Sequence, residues 1–408
     1  MITQRVFPGR IYLIFIALNW CFYPGAAQND SLAKIGQRYW LVEMSIENSV
    51  YSKLKRNKKE TSFTPGSFTL NGETLQVKEM HTRGKTTQHF WRKSYTVALK
   101  DRIGFSEAGV DHHLDHFYLI SMSLDRNYYH NKLAFHCLSL LDLFPLYHHY
   151  VEVRINGISE GLYLLVQRPA DYALEELGSP GILRRGSTDF IAKEKFGESA
   201  SEENRLECKR IFKEIKSPGS RYGEGLYQYL NERIDLKAYF YWLAFNYLMR
   251  NGDYTDEVFY YVLPDQSPAR FGIIPWDFDD ILVKDPHEGK EVRDRQLGDQ
   301  LIFSSEDKLD RLIARDPYLY KQYLIQFDKV MQVLDSESLT HIFREIENDL
   351  APYFTTNSVV DASKHDFRPV ENWQALKDNM ASNLGYLKSR VVIVRQMSIQ
   401  SRTAIGQE

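Results

Sequence analysis

The stretch FGIIPWDFDD, residues 271–280, decides how this chain is read, together with NGDYTDEVFYY at residues 251–261 just before it. The first is an apolar, strand-like run, a Pro-Trp corner and then Asp277, Asp279 and Asp280. The second opens on the turn signal Asn251-Gly252, carries Asp253, Asp256 and Glu257, and runs into an aromatic strand. Turn residues flanking β-rich runs mark strand boundaries. Two neighbouring strands would therefore deliver several carboxylates to one place, where only a cation or a displaced pKa relieves the repulsion. A hard divalent cation of the Mg²⁺ kind suits an all-carboxylate set, and such sites usually serve phosphate substrates.

Outward from that centre, the chain reads β-rich before it and helical around it. Residues 39–48 open a strand, Asn71-Gly72 and Asn156-Gly157 sit in hairpins at 67–80 and 150–166, and KSYTVAL (93–99) is a further strand. Residues 131–143 have helical spacing, the one helix expected in this first portion. After Asp171 the pattern is helical: one long segment over 226–249, others over 308–333 and 339–353, and a last over 372–396. The charged run 285–299 reads as an exposed loop. The fold class is α+β with a cleft between a β-rich and a helical part.

Of 408 residues, 43% are hydrophobic, and 51 basic against 54 acidic side chains leave a net charge of -3, which argues against a nucleic-acid partner. Arg5 and Arg10, the apolar run 11–22 and small residues up to Ala27 have the layout of a secretory signal peptide over residues 1–27, with no other stretch suited to span a membrane. An exported protein follows. Cys137 and Cys208 show no zinc spacing, and Cys137 reads as a core thiol. The pairs His112-His113 and His148-His149 read as surface or structural. For phosphates, Arg83-Gly84-Lys85 follows a strand, and Lys93 begins one.

In order, RGK (83–85), RKSYTVAL (92–99), LDRNYYHNKLA (124–134), VEVRINGISEGLYLLV (151–166), NGDYTDEVFYY and IPWDFDD make the chain resemble the CotH family of atypical, secreted or spore-coat protein kinases. The resemblance spans roughly residues 39–395. It implies a divergent two-lobed protein-kinase-like fold, lobes at about 38–170 and 171–400 of a domain ending near 400, that binds ATP with Mg²⁺ or Mn²⁺. By that resemblance the chain moves the γ-phosphate to Ser or Thr of a surface or coat protein. It also implies Asp253 as catalytic carboxylate, Asp277 as metal ligand and Lys93 on the phosphates, beside Arg83, which its place after a strand makes a candidate for them. The chain departs from the family where Gln167 replaces a Glu that would pair with Lys93, where Asp256 and Glu257, still able to hold a metal, replace an Asn, and at His130, where a basic residue is usual. Another transferase, a metal-dependent hydrolase and a catalytically weak or inactive nucleotide-binding coat protein are the competing classes.

Overall fold

Asn156 and Gly157 both adopt positive φ (53° and 78°), the geometry of a two-residue hairpin turn. They join the strands His148–Ile155 and Ile158–Gln167 at the middle of a nine-stranded sheet. In spatial order its strands are Ser62–Phe63, Val77–Arg83, Ser94–Glu107, Val110–Ile120, Ile158–Gln167, His148–Ile155, Leu41–Ser45, Ser67–Leu70 and Glu73–Thr74. Leu41–Ser45 and His148–Ile155 run parallel; the other pairs are antiparallel. The computed structural model describes residues 38–107, 110–125, 127–185, 191–193, 201–216, 219–255, 258–367 and 369–405. The expected signal segment lies outside them. Among them no helix is long and apolar enough to cross a membrane.

The run GLYLLV is apolar throughout because its strand is buried on both faces. Tyr163 and Leu165 join a core with Val97, Phe117 and Val153, under the helix Asn48–Arg56. Leu162, Leu164 and Val166 join the larger helical core on the opposite face. Long-range polar clips hold the later helices to the sheet. The buried Arg92 guanidinium donates to Glu160 O (2.6 Å) and Tyr128 Oη (2.9 Å) and pairs with Asp366. Lys132 pairs with Asp349 at 2.8 Å. Tyr353 Oη donates to Tyr150 O at 2.5 Å.

The α+β class stands, with corrections of detail. The β-rich portion carries two substantial helices, Asn48–Arg56 and His130–Leu140. The segment expected as one helix over 226–249 is two, Gly223–Asn231 and Leu236–Met249, because Asp235 caps the second by accepting from Ala238 N. That over 308–333 breaks at Asp316, held extended before Pro317 while capping Pro317–Val333. Residues 285–299 contain the helix Lys290–Leu297. Two strands after Asp171, Ile182–Arg185 and Ile191–Lys193, join a second sheet that the helical reading missed. His148 and His149 are structural, with burial lowering both pKa values. Cys137 and Cys208 are buried free thiols.

Candidate functional site

In the second sheet the strands Val258–Val262 and Phe271–Ile274 are antiparallel, with Phe259 opposite Ile274. The start of one and the end of the other therefore lie together, which brings the turn carrying Asp253 beside the loop carrying Asp277. Phe278 anchors that loop. It is fully buried against Phe135, Trp242 and Phe245, with ring centroids 5.4, 6.2 and 5.9 Å away. Its neighbours Asp277, Asp279 and Asp280 stay partly exposed. Asp277 itself sits at φ 66°, a left-handed conformation uncommon outside glycine and often found at functional sites.

The helix Leu236–Met249 ends at Arg250 in the left-handed region, which turns the chain into Asn251-Gly252-Asp253. Backbone bonds zip this turn to the acidic loop: Gly252 N to Asp280 O (3.0 Å), Leu282 N to Met249 O (2.7 Å) and Val283 N to Arg250 O (3.3 Å). A Cβ at Gly252 would lie 2.5 Å from Asp280 Oδ2, so any larger residue there would displace that carboxylate. His287 then bridges the two carboxylates, with Nε2 2.9 Å from Asp280 Oδ2 and Nδ1 3.4 Å from Asp253 Oδ1. Burial alone would lower the His287 pKa, but the Asp280 hydrogen bond and the Asp253 charge raise it overall. The next residue, Glu288, secures this loop by accepting from Ser305 N (2.5 Å) and from the Ser304 and Ser305 hydroxyls (3.1 and 3.0 Å).

A third segment completes the cluster. Asp125 is buried in the loop after Val110–Ile120 and accepts from His130 N (3.0 Å), Asn131 N (2.8 Å) and Asn131 Nδ2 (3.1 Å), which caps the helix His130–Leu140. The Asp279 carboxyl is pushed well above the usual carboxylate range by withdrawal from water, and further by Asp277, Asp125, Asp280 and Asp253. Four carboxylates from three distant stretches thus act on Asp279. Arg83 approaches from the sheet, its guanidinium 3.8 Å from the Tyr118 ring and 5.7 Å from the Trp276 ring, next to Asp277.

Of the residues expected from sequence, Asp253, Asp277 and Arg83 come to this region. Asp256 and Glu257 lie outside the described residues. Lys93 and Gln167 do not meet. Lys93 is buried and donates to Gln88 O (2.6 Å) and Asn57 O (3.1 Å), its pKa lowered by burial and by nearby Lys55 and Lys58. Gln167 lies opposite Phe117, which lies opposite Val97, two strands and four residues away from Lys93. Its amide donates to Glu176 and accepts from Tyr147 N (3.2 Å). Sequence reasoning missed Asp125 and His287. Asp125 stood inside a quoted motif, five residues before a helix start; a lone histidine in a charged run gave no signal.

The donor set around Asp279 is oxygen-only and rich in carboxylates, with His287 bridging two of them, which fits a hard cation such as Mg²⁺ or Mn²⁺. It is wider than a closed cage. Among the described residues, the grouped metal-type donor atoms within 4.8 Å of one another belong instead to Asp115, His116 and Asp171. There Asp171 is raised to about 6, burial outweighing the opposing Arg168. A wide site agrees with Mg²⁺ chemistry, in which one or two carboxylates share the ion with water and phosphate oxygens. The family model described as CotH kinase protein matches residues 80–389, a span that contains every aspartate of this cluster. No curated protein matches the sequence.

Proposed function

Because the chain belongs to the CotH kinase family, we propose that it is an exported, metal-dependent protein kinase moving the γ-phosphate of ATP to Ser or Thr hydroxyls of surface or coat proteins. One observation carries the reading: four carboxylates, Asp125, Asp253, Asp277 and Asp280, converge on Asp279, with Arg83 at the Trp276 ring one residue before Asp277. Phosphoryl transfer needs charge neutralisation and positioning more than covalent chemistry from the protein. A bound divalent cation would supply that neutralisation on the phosphates. Asp277 and Asp279 would hold it, with Asp125 using lone pairs left over from the helix cap. Asp253, steadied by His287, orients the acceptor hydroxyl and takes its proton. Arg83 serves the phosphates in place of Lys93, whose ammonium is committed to backbone carbonyls. A two-lobed arrangement, residues 38–170 against 171–400, belongs to the same proposal.

A second reading, a catalytically weak or inactive nucleotide-binding coat protein, is favoured by one feature. The lysine–glutamate pair that holds phosphates in kinases has no counterpart at Lys93 and Gln167. An ATP-labelling assay with Mg²⁺ or Mn²⁺ on the chain lacking residues 1–27 separates the two. The kinase reading expects metal-dependent labelling of added protein, reduced about 100-fold or more in Asp277→Ala. Nucleotide-dependent thermal stabilisation without labelling selects the second reading, and equal labelling by parent and variant removes Asp277 from the machinery.

A further inference from the structure

The chain carries a net charge of -3, yet residues 53–59 read KLKRNKK, five cations in seven residues with no acid until Glu60. One of the five is internal: Lys55 is buried in an ion pair with Glu160. Lys53, Arg56, Lys58 and Lys59 are exposed. The buried Lys55 fixes what lies next to them. Its ammonium donates to Trp91 O at 3.2 Å and sits 5.2 Å from the Trp91 ring, whose residue is nevertheless 46% exposed. His365 lies 5.5 Å from the same indole, and Phe90 packs 6.5 Å from Phe367, which is 67% exposed.

These rings are held from beneath. Arg92 and Asp366, adjacent in sequence to Trp91 and Phe367, form the buried pair that clamps the two loops together. Lys93 ties Asn57, inside the basic run, to Gln88, at the start of the aromatic loop. The lowered pKa of Lys93, due to burial and then to Lys55 and Lys58, reports the same crowding of positive charge. Along the chain, residues 84–91 link this surface to Arg83, whose guanidinium lies 5.7 Å from the Trp276 ring.

We propose that the surface formed by Lys53, Arg56, Lys58, Lys59, Trp91 and Phe367 docks acidic, aromatic-containing segments of the protein substrate. Four exposed cations complement an anionic partner, and two exposed rings on a clamped platform complement an apolar one; an acidic peptide with aromatic side chains supplies both. The substrate role rests on the kinase reading, because a kinase must hold a protein whose acceptor hydroxyl reaches Asp253. The docking itself needs no turnover.

The test uses a fluorescein-labelled peptide of about a dozen residues, rich in Glu, with two Phe and no Ser or Thr, titrated with the chain lacking residues 1–27. Binding should appear in the micromolar range and weaken severalfold as salt rises from about 0.1 to about 0.5 M. Lys58→Glu combined with Lys59→Glu should weaken it about tenfold, and Trp91→Ala about as much. Trp91→Phe should retain most of the affinity, which separates a contact from misfolding, and Asp277→Ala should bind like the parent. Unchanged affinity in the double charge reversal overturns the proposal. So does equal or tighter binding of oligothymidylate or of anionic phospholipid vesicles. Peptide binding without ATP-dependent labelling would fail the kinase reading alone; labelling without peptide binding would fail the docking surface alone.

Discussion

Replacing Gly252 by alanine tests the junction on which the acidic centre is built. Gly252 lies outside the left-handed region, so alanine meets no backbone penalty there and gains about 0.5–1 kcal/mol by stiffening the unfolded chain. Against that gain stands the space. The new methyl would lie 2.5 Å from Asp280 Oδ2, 3.1 Å from Val283 Cγ2 and 3.3 Å from His287 Cδ2. The last two contacts ease by a few tenths of an ångström. The first requires the Asp280 carboxylate to swing away, which breaks its 2.9 Å bond to His287. Overpacking of this kind costs about 1–2 kcal/mol, and the half-exposed hydrogen bond about 1 kcal/mol more. The net is a destabilisation of about 1–2 kcal/mol, or a fall in Tm of about 1–3 °C for a chain of this size. Thermal unfolding of Gly252→Ala, Asp280→Ala and the double variant is the assay. With the carboxylate gone the methyl has room, so the double variant should be about 1 kcal/mol more stable than the sum of the singles. A Gly252→Ala protein as stable as its parent, or strict additivity, would refute the argument that Asp280 is what excludes a side chain at position 252.

Gln167→Glu should destabilise by about 1–3 kcal/mol in denaturant unfolding, because it sets a carboxylate against Glu176 and removes that residue's amide donor; tighter ATP binding with unchanged stability would show instead that position 167 reaches the nucleotide. Asp279→Asn should raise the Tm of the metal-free protein at neutral pH. The folded-state pKa of Asp279 is raised, so its native cost grows as pH climbs above the ordinary 3.8, and the variant loses that slope together with part of any Mg²⁺-induced stabilisation; calorimetry across pH in both metal conditions checks it, and identical slopes would count against the cluster. His149 is buried on the Trp40 ring, 4.2 Å between centroids, with its pKa lowered to about 3 chiefly by burial. Its contribution is whole above the ordinary 6.5 and is lost as pH falls towards 3, about 2 kcal/mol by about pH 5, so His149→Phe should flatten the acid limb of the melting curve.

The sequence by itself determined what depends on neighbours along the chain. Asn156-Gly157 specified a hairpin because both residues tolerate positive φ, and the strand-like runs on either side supplied its arms. The order of the acidic motifs was enough to bring Asp253 and Asp277 to one end of a strand pair, since an antiparallel partner reverses direction once. It was enough, too, for family membership. Helix breaks at Asp235 and Asp316 were written in capping residues and a proline, and apolar periodicity ran over them. Tertiary structure alone decided which side chains meet. Lys93 looked like a phosphate ligand, but its ammonium turns to Gln88 and Asn57, while Gln167 falls two strands away in register. Asp125 and His287 enter the site across 154 and seven residues from Asp279 and Asp280 respectively, brought by a helix cap and by the serines that grip Glu288. Turn and period signals act over a few residues, whereas a carboxylate's electrostatic neighbours are fixed by packing across the whole chain, and no local pattern encodes them.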